Sequence, residues 1–332
     1  MAVLSGVNID FQNGLLGTVT PSEDGVCAFI DDAIAVTDGT YYQPDDVGEL
    51  TDFFNNAGNG AELIVAHAED DGGAAAVAAA KQVIDESHGR VRVIGLNYTL
   101  ASAQLVEIRN YSLQKEAPVV VICLADTSAV SQPQADGAAV TDIDLLSLLG
   151  RIAAVPVERH IGRVRDGALV LPAEPQNYSF ASMKAKYDAG IITLRQFVGR
   201  DGYFIANDDM CVPATDDYRS LARRRVADKA YRIAYDTLLN YVNDNLPVNN
   251  DGTITAAAAK AIEQTLITAI YNTMTAEGNL SVDESDSSDK GVKVSVDTTN
   301  DFVATSKLNV TLSIKPYGYA KYIDVKLGFL KE

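Results

Sequence analysis

Residues that could carry chemistry are few and scattered. A short apolar run from Leu63 to Ala66 leads into Gly72-Gly73 and an Ala-rich stretch, the outline of a phosphate-binding turn at a helix start. Glu69, Asp70 and Asp71 stand where a phosphate would approach, and the sequence has neither G-x-G-x-x-G nor a Walker lysine there. His67 with Glu69 and Asp70 matches no metal-ligand spacing and is read as a surface or satisfied histidine. Asp283, Glu284, Asp286 and Asp289 have the charge of a calcium loop without its glycine or closing glutamate, which reads as a solvated acidic loop. The G-x-S-x-G elbow of serine hydrolases is missing. Cys27, Cys123 and Cys211 are odd in number and far apart, as expected of small buried hydrophobes in a reducing compartment. The expectation is a chain with no catalytic residues, no metal and no cofactor.

The more specific signal is basic. Arg219, Arg223, Arg224, Arg225, Lys229 and Arg232 cluster in a chain whose net charge is -18. Arg225, Lys229 and Arg232 follow one another at spacings of four and three and share a helix face. Two readings stand. One is a solvated face with local pairs to Asp228 and Asp236; the other is a basic patch that meets an acidic partner.

The elements that must position these residues alternate between strand and helix. Strands are expected at Val26–Ile30, Leu63–Ala66, Val91–Leu96 and Val119–Leu124, and helices at Val47–Asn56, Gly73–Glu86, Leu100–Leu113 and Asp142–Val155, the last capped by Asp142. This order implies a partly parallel sheet covered by helices. Gly162–Leu171 reads as a hairpin turning at Asp166-Gly167, and Pro172–Tyr187 as a domain connection. Strands at Leu194–Val198 and Tyr203–Ile205 precede a long helix from Asp216 to Asn245 and a second from Ala256 to Ala276, capped by Thr255.

Both chain ends alternate with period two. Val7, Ile9 and Phe11 line one face of a short N-terminal arm, with Gly14 and Gly17 behind them. Leu308, Val310, Leu312 and Ile314 alternate with polar residues, Pro316-Tyr317-Gly318 breaks the run, and Ile323, Val325, Leu327 and Phe329 resume it. A last strand with nothing after it must pair backwards or pair with another chain.

Composition excludes several classes. At 332 residues, 47% apolar and 22% charged, the chain reads as a soluble globular protein of about two domains. It holds no run of about 18 apolar residues, so no membrane insertion is expected. The N-terminus has no signal-peptide pattern. The negative charge argues against a nucleic-acid partner.

The segment Gly199-Arg-Asp-Gly-Tyr-Phe-Ile-Ala-Asn-Asp-Asp-Met, the Arg-rich helix after it, and the terminal Lys326-Leu-Gly-Phe-Leu together resemble the contractile tail sheath proteins of phages and phage-derived injection systems. Gly150-Arg-Ile-Ala-Ala-Val-Pro-Val and His160-Ile-Gly-Arg-Val-Arg-Asp-Gly are similar to a middle segment of a compact branch of that family. The resemblance covers most of the chain from about Asp142 onward, and more loosely the N-terminal arm.

The resemblance implies an α+β (mixed α/β) fold. A sheath core domain built from both chain ends would carry an inserted α/β domain and extended strand arms. The corresponding division is an arm over 1–20, an inserted domain over 21–175, a core domain over 176–317 and a C-terminal arm over 318–332.

It further implies a structural subunit that polymerises helically around an inner tube and contracts from a metastable extended state. Its partners would be copies of itself, the inner tail tube protein, and baseplate and terminator or cap proteins. Assembly would take place in the bacterial cytoplasm, into a virion tail or an injection particle. Strand exchange would use Val7, Ile9, Phe11, Ile323, Val325, Leu327 and Phe329, with Gly14, Gly17 and Gly318 as hinges. Arg223, Arg225, Lys229 and Arg232 would face the tube. The competing reading is a soluble α/β nucleotide- or small-molecule-binding protein or enzyme using the N-terminal half. A capsid or tail-tube component is a third, and the helix-rich second half argues against a tube protein.

Overall fold

In the computed structural model the described residues are 23–33, 40–42, 50–58, 61–69, 72–125, 137–175 and 178–329. Strands β1 (Cys27–Asp31), β2 (Thr40–Tyr42), β3 (Leu63–His67), β4 (Val93–Thr99), β5 (Val120–Leu124) and β6 (Ala138–Val140) form the main sheet, in the order β2-β3-β1-β4-β5-β6. All the pairings are parallel except that of the edge strand β2 with β3.

The strands read as continuous apolar runs because both faces are covered. Cys27, Phe29, Leu63, Val65, Val93, Val120 and Ile122 point to one side. There they pack with α1 (Thr51–Ala57) and α4 (Leu145–Ala154). Their neighbours Ala28, Ile30, Ile64, Ile94, Val121 and Cys123 point to the other, against α2 (Ala74–Glu86) and α3 (Ser102–Gln114). A Cβ on Gly150 would collide with the Phe53 carbonyl, so the crossing of α1 and α4 requires glycine there.

Three local expectations are corrected. Helix α4 is capped by Asp144, whose carboxylate accepts the Ser147 N–H at 2.7 Å, while Asp142 pairs with Lys186. Residues 162–171 form no hairpin. The Arg151 guanidinium gathers the carbonyls of Asp166, Gly167 and Ala168 at 3.1, 3.3 and 2.8 Å and folds this stretch against α4. The expected connection contains α5 (Phe180–Asp188), capped by Ser179. It buries no side chain fully, so it has no apolar stripe to read.

The short antiparallel pair β7 (Leu194–Arg195) and β8 (Phe204–Ile205) follows. Ile192, Leu194, Ile205 and Met210 lie in the same core as Phe29 and Leu149. The seam runs along α6 (Leu221–Leu239), capped at Ser220 rather than Asp216. Leu221 belongs to the sheet's core. Val226 and Ala230 pack instead with Leu266, Ile270 and Met274.

Helix α7 (Ala256–Ile270) begins at Thr255, whose hydroxyl accepts the Ala258 N–H, and runs on into a π-helical turn, Tyr271–Thr275. It covers the antiparallel pair β9 (Val292–Val296) and β10 (Val310–Ile314), which are joined through α8 (Phe302–Thr305). The alternation of Val292, Val294 and Val296 went unread in the sequence, beside the acidic loop.

Candidate assembly interface

The chain beyond β10 has a held part and a free part. Tyr319 Oη donates to the Glu158 carbonyl at 2.7 Å, and its ring meets that of His160 edge-on at 5.6 Å. Lys321 Nζ lies 2.7 Å from Asp209 Oδ1 and 3.7 Å from Asp208 Oδ1. The Tyr322 hydroxyl is 3.0 Å from that of Tyr187 on α5.

Asp208 is wholly buried, with His160 Nε2 at 2.9 Å and the Ser220 hydroxyl at 2.5 Å. His160 Nδ1 accepts the Gly162 N–H at 2.9 Å, which leaves Nε2 as the ring nitrogen nearest the carboxylate. Burial pushes the Asp208 carboxyl up, but His160, Ser220 and Lys321 together outweigh it and hold the group below its ordinary value.

Among the described residues, the apolar side chains from 323 to 329 are left uncovered. Ile323 and Val325 are 79% exposed, Leu327 96% and Phe329 105%. Among the described residues no strand pairs with these four residues. In the described residues β9 and β10 pair only with each other, which leaves one edge of each without a strand partner, although Glu263 Oε1 accepts the Val296 N–H of β9 at 3.0 Å. Gly318 has open space around it and no positive φ, so its backbone does not require glycine. The remaining arm residues, Val7, Ile9, Phe11, Gly14 and Gly17, lie outside the described residues.

The basic face of α6 is turned inward. Arg225 is 4% exposed and donates through Nη2 to the carbonyls of Val155 at 3.1 Å and Asp24 at 3.4 Å. Lys229 Nζ stands 2.7 Å from Asp24 Oδ2, and Arg232 Nη2 stands 3.3 Å from Asp24 Oδ1. These three residues are therefore engaged with Asp24 and Val155 within the protomer. The cause is Asp24, whose proximity to α6 the sequence does not reveal.

Burial raises the Asp24 carboxyl, yet Lys229, Arg232 and Arg225 outweigh it and hold the group below its ordinary value. A second bridge joins α3 to α6, with the Arg109 guanidinium bidentate on Asp228 at 2.7 and 3.1 Å. Arg223 is half-buried, and its Nε has no hydrogen-bond partner.

The glycine turn before α2 is filled by protein. Gln104 Nε2 donates to the Gly72 carbonyl at 3.1 Å, Tyr98 Oη bonds the Ala68 carbonyl, and Leu100 packs where a Cβ on Gly73 would sit. Among the described residues no three His, Cys, Asp or Glu side chains converge as a metal site. The acidic loop closes on itself instead: Asp283 and Asp286 accept from Ser285 and Ser288, and Lys315 reaches Asp289 at 2.8 Å.

The N-terminal domain of the DUF2586 family matches residues 46–209 and its C-terminal domain matches residues 217–332, so the chain carries both domains in order. No curated protein matches the sequence. The fold is similar to that of the sheath of an extracellular contractile injection system, PVC, in its contracted state. The identity is 14% and the TM-score 0.55, over 99% of this chain and 98% of that one. A sheath tail protein from Desulfitobacterium hafniense aligns over 94% of this chain and 100% of its own, at 9% identity and a TM-score of 0.48.

Proposed function

We propose that this chain, which carries both DUF2586 domains and the fold of a contractile sheath protein, is the structural subunit of a contractile sheath. The observation that carries the reading is the C-terminal segment. It is anchored up to Tyr322 and then presents four alternating apolar side chains to solvent. Such a segment is suited to completing a sheet in a second copy, where main-chain hydrogen bonds give the connection and alternate side chains give the register.

For one arm the apolar and ordering terms nearly balance, and strand hydrogen bonds of about 1 kcal/mol each leave a modest gain that repetition through a lattice makes collective. Burying Ile323, Val325, Leu327 and Phe329 contributes roughly 1.5–3 kcal/mol each, against about 1–2 kcal/mol per residue to order the segment. Anchoring at Tyr319–Tyr322 reduces that ordering cost, because only the residues beyond the anchor are left to fix. Val7, Ile9 and Phe11 serve as the matching strand at the other end, and Gly14 and Gly17 are points at which the N-terminal link bends.

The assembled sheath surrounds an inner tube, meets baseplate and terminator proteins at its ends, and works by repacking its subunits as near-rigid bodies. The chain acts structurally, without catalysis, and reaches its place in a phage tail or injection particle by assembly in the bacterial cytoplasm. The inward-turned Arg225, Lys229 and Arg232 leave Arg223 as the member of the basic row that contacts the tube or a neighbouring subunit.

The test is electron microscopy of the chain co-expressed with a candidate inner-tube protein from the same source. Hollow ribbed cylinders around a tube, present in a long narrow and a short wide form, are expected. A monodisperse monomer in the presence of tubes contradicts the reading.

A further inference from the structure

The two ends of the described chain are tied to one polar hub. Asp24, at the foot of the N-terminal segment, takes Lys229 Nζ at 2.7 Å. The same ammonium donates to Asn279 Oδ1 at 2.8 Å, and Asn279 Nδ2 donates to Glu158 Oε2 at 2.9 Å. The backbone carbonyl of Glu158 takes the Tyr319 hydroxyl at 2.7 Å, at the foot of the C-terminal segment. Arg225 reinforces the hub from below, gripping the carbonyls of both Asp24 and Val155.

Asn279 is the pivotal link. It is 4% exposed, and its amide accepts on one side and donates on the other, so only this orientation satisfies both neighbours. Buried polar chains of this kind are costly when half satisfied, so losing one link strains the next.

We infer that this hub couples the two terminal segments: disturbing the mooring at Asp24 loosens the mooring at Tyr319–Tyr322, and the reverse. A corollary is that the C-terminal arm pivots after Tyr322, beyond the last moored residue, and not at Gly318, which lies between β10 and the anchor. The coupling is a property of the single protomer. Only its consequence, that tension on one arm in a lattice is felt at the other, rests on the proposed function.

A nitroxide attached at Asp324→Cys reads the mobility of the C-terminal segment, since the native cysteines Cys27, Cys123 and Cys211 are all buried. The chain also carries Leu327→Asp, so that it stays monomeric. Lys321→Ala, which removes a direct strap contact, sets the scale, and Lys81→Ala, on a remote surface pair with Glu107, is the control. The ratio of mobile to immobile nitroxide is expected to rise at least about threefold in Asp24→Ala and in Asn279→Leu, and to stay unchanged in Lys81→Ala. A ratio that moves in Lys321→Ala but in neither Asp24→Ala nor Asn279→Leu overturns the coupling. If Asp24→Ala does not fold, Lys229→Met is read in its place with the same two outcomes. Failure of the sheath reading leaves this readout untouched, because the measurement is made on the monomer.

Discussion

Lys229 Nζ and Asp24 Oδ2 lie 2.7 Å apart, so the longest described helix holds the foot of the N-terminal segment through one carboxylate that also serves Arg232. Removing the carboxylate leaves two cations and the buried Arg225 without it. Asp24→Ala is expected to cost about 3 kcal/mol at neutral pH, the low end for breaking a buried ion pair. Chemical denaturation of the two proteins measures it.

The same carboxylate gives a pH dependence with a definite sign. Its pKa in the fold is lowered from 3.8, so its contribution is complete above that value and is lost as the pH falls through the lower folded value. Thermal melts from pH 6 to pH 2 are expected to fall less steeply for Asp24→Ala than for the unaltered chain in this acid range. Parallel curves would remove Asp24 from the account.

Gly150 sets the approach of α4 to α1. Alanine would gain about 1 kcal/mol of helix propensity at this position. Its Cβ would meet the backbone carbonyl of Phe53, which cannot swing aside as a side chain can. Overpacking of this kind costs typically 1–3 kcal/mol or more. Gly150→Ala is therefore expected to lower the melting temperature, and a raised one would show that the two helices separate freely.

The thiols are expected to be silent in the native protein. Burial pushes Cys27 up to about 12 and Cys123 up to about 11, and raises Cys211 as well. A colorimetric thiol reagent at pH 8 should find no reactive group until denaturant is added, and then all 3. A fast-reacting native thiol would contradict the packing of both sheet faces.

Much of the sheet was legible because burial on both faces leaves long apolar runs, as in Val120–Leu124, bounded by helices with clear periodicity. The caps were legible in part. Thr255 is the N-cap of α7 as expected, whereas Asp144 caps α4 in place of Asp142, since both aspartates precede the same apolar run. What sequence could not give is long-range pairing. Arg225, Lys229 and Arg232 look like an exposed basic stripe until Asp24 and the Val155 carbonyl are placed beside them. The held part of the C-terminal segment was missed for the same reason. Tyr319 and Lys321 find their partners, Glu158 and Asp209, only once the two halves are folded together. The alternation of Ile323 to Phe329 was legible because it is local, and among the described residues no strand pairs with it.

The measurement that bears most directly on the central claim compares the full chain with one ending at Tyr322. Ile323, Val325, Leu327 and Phe329 are so exposed that their removal should leave the monomer's melting temperature within about 1 °C. Under the electron microscope the full chain is expected to form ribbed cylinders, and the truncated chain only folded monomers. Cylinders from the truncated chain would contradict assembly through the C-terminal strand.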